Sequence, residues 1–480
     1  MSLRTSALPF HPRVAKALGD AQLSIALGRA TGRFTTLRTQ AIGELPEADA
    51  VRDRARAIRA ATLRRLDALL EQFEASVTRA GGRVHWAPDA AAARNAVLEL
   101  VKAHGVRRVV KAKSMISEEI GLNHALEGAG AEVIESDLGE YVIQLAGETP
   151  SHIIAPAFHK TKEQIGRLFH EKLGVPVTDD PAEMTAVARA RLRDVYLTAD
   201  LGISGVNFGV AETGTLVVVT NEGNASLTMS GPRLHVALMG IERIAPTLDD
   251  VSVLLKVLAR SATGQKLSVY TDLVTGPRRR ATNGGPRTGE PDGPEELHVV
   301  LVDNGRSRVL GTSAAEILYC IRCGACLSAC PVYKSIGGHA YGSVYSGPIG
   351  AVLTPALDGL GPWQDLPQAS SLCGACREVC PVRIDIPRML LELRAESVAA
   401  GHGPAWVRLG LKAYRLAAVH PRLFRLALTA SGWASRALAR GGWIRRLPGP
   451  LAGWTDHREF PALAREPFSV QLRRLREGRP

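Results

Sequence analysis

The sequence lacks several features that would assign it to a common protein class. Its first 319 residues contain no cysteine, which excludes a disulfide framework over most of the chain. No apolar run approaches the roughly 18 residues that a membrane span requires, because Arg or Lys interrupts each leucine-rich segment. The first residues carry no apolar segment of the kind found in signal peptides. These absences predict a globular protein in the cytoplasm.

Nucleotide-binding signatures are absent as well. No Gly-x-Gly-x-x-Gly element follows a predicted strand, and no Walker-type loop occurs. The sequence therefore predicts no flavin, nicotinamide or nucleotide site. Any hydride chemistry in which the protein takes part has to occur on another molecule.

All seven cysteines of the chain stand close together. Cys320, Cys323, Cys326 and Cys330 follow one another at the spacing C-x2-C-x2-C-x3-C, directly before a proline. In the bacterial ferredoxins this run gives three thiolates to one four-iron cluster and the fourth to a neighbouring cluster. Zinc sites instead use pairs of C-x2-C knuckles. The spacing thus favours iron–sulfur clusters over zinc.

A second run, Cys373, Cys376 and Cys380, repeats the spacing without its first cysteine, whose position Ser370 occupies. The crossed ligation of ferredoxins predicts two sets: Cys320, Cys323, Cys326 and Cys380 for cluster 1, and Cys330, Cys373 and Cys376 for cluster 2. The fourth ligand of cluster 2 is left open between Ser370, Ser371, water and an exogenous ligand. We predict two [4Fe–4S] clusters, with a [3Fe–4S] form of cluster 2 as the alternative. Two neighbouring one-electron centres favour an electron relay over a structural role.

Periodicity divides the chain into four predicted parts. These are a helical N-terminal extension (1–75), an α/β domain (76–305), an α-helical two-cluster iron–sulfur domain (306–395) and a basic helical C-terminal region (396–480). The α/β prediction rests on β-rich runs such as Arg107–Lys111 and Glu132–Glu135, which alternate with helical segments such as Glu118–Leu126. This alternation indicates a mostly parallel sheet.

Other segments carry local predictions. Gly214–Thr220 and His298–Val302 are typical of strands, and the first has the β-branched run of a strand buried on both faces. Gly276–Glu296, with an Asn-Gly turn signal at 283–284 and three arginines at 278–280, is predicted to be an exposed loop. Ala314–Leu327 and Met389–Val398 look helical.

The C-terminal region is strongly basic. Residues 401–480 hold fifteen Lys and Arg against four Asp and Glu, which accounts for +11 of the net charge of +12. Apolar and Arg residues alternate at helical spacing over residues 405–439, which predicts amphipathic helices. We expect these helices to cover the cluster domain, with docking to a partner or peripheral contact with the inner face of the membrane as the second interpretation. No nucleic-acid-binding motif accompanies the charge, so nucleic-acid binding is not expected.

Several stretches together resemble the lactate utilization protein B family. The resemblance runs from about residue 80 to the C-terminus and is carried by these segments: Asp137–Tyr141, Pro150–Ile153, Asn207–Thr215, Asn221–Asn224, Cys320–Cys326, Gly337–Gly342, Gly347–Gly350 and Ser370–Cys376. It implies the iron–sulfur subunit of a three-part cytoplasmic system that oxidises L-lactate to pyruvate and supports growth on lactate. It also implies that all seven cysteines are cluster ligands and that the α/β domain is similar to the CoA-transferase and sugar-phosphate isomerase fold.

The resemblance makes this chain an electron-transfer component of an L-lactate dehydrogenase complex rather than a complete enzyme. Its partners would be the other two subunits of the system and an unidentified electron acceptor. The alternative from the enzyme class is an α/β domain with its own activity on an acyl or sugar-phosphate substrate, regulated by redox-sensing clusters. A cluster-containing nucleic-acid-binding or regulatory protein that relies on the basic tail is the third hypothesis, and salt-sensitive retention on DNA would reveal it.

Polar residues of the α/β domain are weaker candidates. Lys111, Lys113, Glu118, Asp137, Glu140, His152, His159 and Lys160 are candidates for one polar pocket, although each histidine alone is more typical of a structural role. Glu212–Thr215 precedes a strand and suits either an anion site or a tight turn. His339 lies between the cysteine runs, and we interpret it as a packed side chain rather than a cluster ligand.

Overall fold

The computed structural model describes residues 3–278, 293–403, 405–456 and 458–478. It divides into two compact units, one extending through Ala399 and the other beginning at Ala400. Most of the predicted loop Gly276–Glu296, including its Asn-Gly turn and two of its three arginines, lies outside the described residues.

The first unit begins with four helices. They are α1 (Phe10–Leu18), α2 (Ala21–Gly43), α3 (Ala48–Arg64) and α4 (Leu66–Arg79). The helix α2 starts at Asp20, whose carboxylate accepts a hydrogen bond from Leu23 N at 2.9 Å and so satisfies one free amide of the first turn. Leu27 of α2 and Ile58 of α3 are buried. The helical prediction for this part of the chain is confirmed, and its apolar face packs into the body of the unit.

A six-stranded parallel sheet forms the centre of the α/β part. Its strands are β1 (Arg83–Ala87), β2 (Arg108–Lys111), β3 (Glu132–Glu135), β4 (Leu201–Gly205), β7 (Leu234–Gly240) and β10 (Glu296–Val302). The spatial order is β1-β10-β7-β4-β2-β3, and every pairing is parallel. All seven residues of β7 are buried, as expected for a central strand covered on both faces. The predicted parallel sheet is confirmed.

Helices cover both faces of this sheet. After α4 the chain forms α5 (Ala90–His104), α6 (Met115–Ile120), α7 (Leu122–Gly128), α8 (Leu138–Ala146), α9 (Lys162–Leu173), α10 (Pro181–Thr198), α11 (Asn224–Ser230) and α12 (Leu248–Ala262). Apolar side chains of α5, α6 and α7 pack on one face, and those of α4 pack on the other. The result is the layered arrangement that alternating strands and helices favour.

A second, smaller sheet was not predicted. It contains β5 (Phe208–Val210), β6 (Thr215–Thr220), β8 (Ile244–Ala245) and β9 (Tyr270–Val274) in the order β8-β5-β6-β9. The strand predicted at Gly214–Thr220 is β6, and it pairs antiparallel with both β5 and β9. A buried β-branched run does not by itself reveal which sheet a strand joins.

The cysteine-containing part is built from short helices. They are α13 (Arg306–Leu310), α14 (Ala325–Ala329), α15 (Pro331–Ile336), α16 (Gly347–Asp358), α17 (Ala375–Val379) and α18 (Ile386–Ala399), with 3-10 turns at Ala315–Tyr319, His339–Tyr341, Gly361–Trp363 and Leu366–Gln368. The helix predicted at Met389–Val398 is confirmed by α18. The continuous helix predicted over Ala314–Leu327 is wrong, because residues 320–324 leave helical geometry and Arg322 and Gly324 adopt positive φ angles of 60° and 74°.

One hydrophobic core joins the cysteine-containing part to α2, α3 and α12. Two motifs from distant parts of the chain meet here. The Tyr333 hydroxyl donates to the Ser151 carbonyl at 2.7 Å, and a Cβ on Gly338 would lie 1.8 Å from the same oxygen. Only glycine permits such an approach, which explains the residue at this position.

The second unit contains α19 (Ala405–Ala418), α20 (Pro421–Leu438), β11 (Trp443–Ile444), a 3-10 segment at Gly449–Thr455, β12 (Phe460–Pro461) and α21 (Phe468–Arg476). Large apolar side chains on its helices are exposed, among them Leu409 and Trp433 at 67% and 72%. Among the described residues, none of the helices has both the length and the apolar character needed to cross a bilayer.

Candidate metal centre

Four of the seven cysteines surround one small cavity. Cys320, Cys323, Cys326 and Cys380, here called the first cysteine set, line it together with apolar side chains that include Ile321, Ile349 and Ile384. Burial raises the pKa of the Cys323 thiol to about 12, with further contributions from Cys380 and Cys320. Cys380 therefore joins the first run although it stands 54 residues after Cys326 in the sequence.

The other three cysteines form the second cysteine set, Cys330, Cys373 and Cys376. Burial and then the neighbouring Cys330 raise the pKa of the Cys376 thiol to about 12. Burial also raises the pKa of the Cys330 thiol, and the neighbouring Cys373 raises it further. Cys330 and Cys376 are buried, whereas Cys373 is exposed. One edge of the second set thus reaches the surface of the unit.

The two cysteine loops are local structural repeats. In the first, Arg322 N lies 3.3 Å from Cys320 Sγ, and Arg322 has a φ of 60°. In the second, Leu372 N lies 3.1 Å from Ser370 Oγ, and Leu372 has a φ of 55°. The Ser370 hydroxyl therefore occupies the local position that the Cys320 thiol has in the first loop.

Backbone amides also point at sulfur atoms elsewhere. Tyr333 N lies 3.5 Å from Cys330 Sγ, and Ile384 N lies 3.3 Å from Cys380 Sγ. Amide donors of this kind stabilise thiolates and tune the potential of a bound cluster. The seven thiols, their two groupings and these donors fit iron–sulfur clusters. The buried thiols would release their protons when metal binds.

Arginines converge on the first cysteine set. Arg52, Arg59 and Arg243 are buried, and Arg38 is partly buried. Their guanidinium groups donate to carbonyls of the cysteine loops: Arg38 to Val379 at 2.7 Å, Arg52 to Cys380 at 3.0 Å, Arg59 to Leu318 at 3.1 Å and Arg243 to Cys320 at 2.9 Å. Burial lowers the pKa of Arg59 to about 10, so it stays charged at neutral pH. These cations surround the place where a negatively charged cluster would sit.

His152 packs against the same loop. Its ring stacks on Phe158 with centroids 4.8 Å apart, and its Nδ1 accepts hydrogen bonds from Ile154 N and Ala155 N. Burial and then Lys113 lower the pKa of His152 to about 3. The neutral ring therefore carries its proton on Nε2, which has no hydrogen-bond partner among the described residues. A Cβ on Gly324 would lie 3.6 Å from this nitrogen, so a donor is available beside the first cysteine set.

A cleft of about 400 Å³ lies next to this loop. It opens at the carboxyl ends of β2, β4 and β7, the edge at which open α/β sheets bind ligands. Lys113, Asp137, Asn207 and Glu222 line it, and so does Arg322 of the cysteine loop. Lys113 and Asp137 are therefore brought together as predicted.

The other predicted pocket residues lie elsewhere. Lys111 is fully buried and pairs with Glu135 at 2.8 Å and Glu118 at 3.3 Å. His159 and Lys160 both bind Glu148, each at 2.6 Å. Glu140 is buried, and burial together with Glu135 raises its pKa. The prediction of one pocket holding all of these residues is wrong, because Lys111, Glu118 and Glu140 form a buried charged cluster with Glu135, whereas His159 and Lys160 pair with Glu148.

Two further candidates have structural roles. Gly214, within the segment Glu212–Thr215, lies so close to α4 that a Cβ would come 2.5 Å from Val77 N, which supports the tight-turn interpretation. His339 Nε2 lies 2.7 Å from the Thr149 carbonyl oxygen. The His339 ring is thus held by the segment that precedes Ser151, in keeping with the packed role expected for it.

Sequence reasoning missed the arginines of α2 and α3, because residues 1–75 looked like a separate extension. The position of Arg59 on the apolar face of a helix was one signal that this part of the chain packs against another, because a buried arginine requires partners. The carbonyls that it binds could not be identified from the sequence.

Comparisons with known proteins assign two parts of this chain to known domains. Residues 70–302 match the model of the LUD domain, and residues 316–384 match that of the 4Fe-4S dicluster domain. Lactate utilization protein B of Bacillus cereus (strain AH820) is 45% identical over 469 residues, which cover 98% of this chain and 97% of the relative. The chain belongs to the lactate utilization protein B family.

Another member of the family is lactate utilization protein B 2 of Bacillus mycoides (strain KBAB4). It is 44% identical, and the match covers 100% of this chain and 99% of the relative. A crystal structure of a DUF162 family protein from Deinococcus radiodurans covers 49% of this chain and 98% of its own, with 15% identity and a TM-score of 0.28. The similarity of the α/β part to sugar-phosphate isomerases and CoA-transferases stays a prediction.

Proposed function

We propose that this family member is the iron–sulfur electron-transfer subunit of a complex that oxidises L-lactate to pyruvate. The observation that carries the proposal is the gathering of seven cysteines into two adjacent sets, with Cys380 beside the first run and Cys330 beside the second. Two adjacent one-electron centres suit a relay. The naming of the relatives supplies the metabolic context.

The ligand assignment follows the crossed arrangement. Cys320, Cys323, Cys326 and Cys380 would hold cluster 1, and Cys330, Cys373 and Cys376 would hold cluster 2. When bound, the clusters would supply one-electron redox chemistry. The protein would supply thiolates, amide donors and a largely apolar surrounding that excludes water from cluster 1.

Ser370 is the fourth ligand that the geometry favours for cluster 2. The Ser370 hydroxyl oxygen accepts a hydrogen bond from the Leu372 amide, as the Cys320 sulfur accepts one from the Arg322 amide. The carbonyl of Ser370 is fixed by Arg394 Nη2 at 2.9 Å. An alkoxide is a harder and more basic ligand than a thiolate, so this iron would be the one lost most readily. A [3Fe–4S] form of cluster 2 would follow from that loss.

Electrons would enter or leave the chain through cluster 2. Cys373 is exposed, whereas Cys323 and Cys380 are buried, and one-electron transfer requires close approach of the donor and acceptor. The exposed edge suits contact with another protein of the system. The second unit, with exposed Leu409 and Trp433 among its basic residues, is a further surface that we propose for partner binding. Contact of this unit with the membrane stays a prediction.

Anaerobic purification, iron and sulfide analysis and EPR of the reduced protein test the proposal. L-lactate is then added with and without the other two subunits. Two reducible clusters that respond to lactate only with the partners would support it. A single inert cluster, bound zinc, or reduction by lactate without partners would contradict it.

The cleft of about 400 Å³ favours one second candidate function. In this alternative the α/β part has its own activity on an acyl or sugar-phosphate substrate, and the clusters sense redox state. Turnover of such a substrate by the complete chain alone, at a rate that changes when the clusters are reduced, would support it. Inertness toward both substrate classes in either redox state would exclude it.

A further inference from the structure

The cleft has a cationic end beside the first cysteine set. Arg243, Arg306 and Arg322 border it together with Glu242. Arg306 pairs with Glu242 at 2.7 Å and forms a bidentate pair with Glu119 at 2.7 and 2.8 Å. The carboxylates of Glu119 and Glu242 are therefore both paired with Arg306. Because both carboxylates bind Arg306, neither lies within hydrogen-bond distance of Arg322.

Arg322 is the cation least well satisfied. It is 9% exposed, and its guanidinium lies over the Tyr345 ring, 4.5 Å from the centroid. Its Nη2 lies 3.6 Å from Glu242 Oε1, which is too long for a hydrogen bond. Its Nη1 is buried and has no hydrogen-bond partner within the part of the chain that the structure describes. A buried charged donor without a partner is costly unless a ligand or prosthetic group completes it.

The surroundings favour a ligand with a single negative charge. Glu242 adjoins Arg322 and would repel a dianion such as phosphate more strongly than a carboxylate. A guanidinium group matches both a carboxylate and a phosphate in geometry, so the nearby charge of Glu242 decides between them. The rest of the cleft combines apolar side chains such as Ile154 and Leu258 with the amide of Asn207. Asn207 Oδ1 accepts from Val219 N at 2.9 Å, which leaves the amide nitrogen as a donor.

We propose that this cleft binds a small organic carboxylate, whose carboxylate group pairs with Arg322. The inference rests on the proposed function, since it assigns to the same chain a site for the class of molecule that the lactate-oxidising system handles. It concerns binding alone and involves no transfer of electrons to or from the ligand.

The site would be coupled to cluster 1 through one residue. Arg322 stands two positions after Cys320, and its backbone amide lies 3.3 Å from Cys320 Sγ. An anion on the Arg322 guanidinium weakens the positive field at cluster 1, so adding an electron becomes harder. Carboxylate binding therefore lowers the potential of cluster 1. By linkage, the carboxylate binds the oxidised protein more tightly than the reduced protein.

Isothermal titration calorimetry on the anaerobic, cluster-loaded chain tests the proposal with L-lactate, pyruvate and inorganic phosphate as probes. We expect Arg322→Asn to weaken carboxylate binding about ten- to a hundredfold, the effect of losing a hydrogen bond to a charged group. Asn is chosen because it accepts the positive φ of this position. Ala262→Phe, which fills the cleft away from the cysteines, should abolish binding and leave the iron content unchanged. Arg83→Gln, on an exposed arginine, is the matched control and should bind as the unaltered chain does.

The outcomes are distinct. Loss of binding in both cleft variants, with a lower cluster 1 potential when the unaltered chain is saturated with carboxylate, supports the site. Unchanged binding in both variants, or no binding of lactate or pyruvate to the unaltered chain, overturns it. Phosphate binding that requires Arg322 without carboxylate binding overturns the ligand class. The unaltered chain could also bind no carboxylate while Arg322→Asn changes the potential of cluster 1. That result would show that Arg322 Nη1 donates to the cluster, and it would overturn the proposal. Failure of the electron-transfer proposal would appear earlier, as the absence of two reducible clusters before any probe is added.

Discussion

The two cysteine sets share a loop geometry and differ in almost everything around it. The first is enclosed by apolar side chains and has Arg38, Arg52, Arg59 and Arg243 bound to the carbonyls of its loops. The second has an exposed cysteine, a serine in place of its first cysteine, and the partly exposed Arg394 at the Ser370 carbonyl. The same local fold can therefore hold two centres with different potentials and different access to solvent.

The charge around each cysteine set predicts which of the two clusters has the higher potential. Nearby cations stabilise the extra negative charge of a reduced cluster, and their effect is largest where water is excluded. The first set should therefore hold the cluster of higher potential. Electrons arriving at the exposed second set would move inward to the first.

The largest effect is expected from breaking the crossed arrangement. Cys380→Ser should abolish the EPR signal of cluster 1, although Cys380 belongs to the second run, and Cys330→Ser should damage cluster 2, although Cys330 belongs to the first. Spectra of both reduced variants, with their iron content, are the measurement. The reciprocal variant is the control for each. Loss of cluster 2 in Cys380→Ser would contradict the crossed assignment.

Access to solvent predicts the next largest difference. A chelator or mild oxidant should remove iron from cluster 2 faster than from cluster 1, by on the order of tenfold, because Cys373 is exposed whereas each cysteine of the first set is buried or partly buried. The EPR signals of both clusters are followed during incubation with EDTA and ferricyanide. Equal rates would mean that the exposed edge does not control iron loss.

Ser370→Cys should make the second set resemble the first. The new thiol would stand where the Leu372 amide already points, so the protein should retain about eight irons per chain, as two four-iron clusters require, and resist conversion to the three-iron form. Ser371→Cys is the matched control, one residue away from the repeated position. If Ser371→Cys stabilises the cluster and Ser370→Cys does not, the repeat fails to predict the ligand.

Sequence and structure agree where the information is local. The cysteine spacing, the parallel strands and the helix α18 follow from periodicities that a reader can see in a few residues. The environment of the first set is not local, since its arginines come from α2, α3 and the turn after β7 and meet only in the folded chain. Lys111 shows the same limit. It was a candidate for a polar pocket, but its pairing with Glu135 depends on how β2 and β3 lie together in the sheet.

Removing single charges should shift the potential of cluster 1 by tens of millivolts, the order expected for a unit charge nearby in a protein interior. Arg243→Gln should lower it, and Glu242→Gln, which removes a negative charge, should raise it. Redox titrations followed by EPR measure both clusters in each variant. Arg394→Gln is the comparison at the second set, where exposure to solvent should make the shift smaller. A shift of cluster 2 rather than cluster 1 in Arg243→Gln would invalidate the charge argument.

The smallest effect is expected from pH. Burial alone would raise the pKa of Glu242, but Arg306, Arg243 and Arg322 lower it to about 2, so this carboxylate is ionised at every pH above about 4. Its stabilising ion pairs are complete above the ordinary carboxylate range near pH 4.5 and are lost only as pH falls toward 2. Between pH 6 and 8 the charge around cluster 1 should therefore stay constant, and the potential of cluster 1 should stay constant as well.

If reduction instead brought a proton with each electron, the potential would rise as pH falls, by about 59 mV per unit. A redox titration at three pH values separates the two cases, and such a slope would require a titrating group beside the first set.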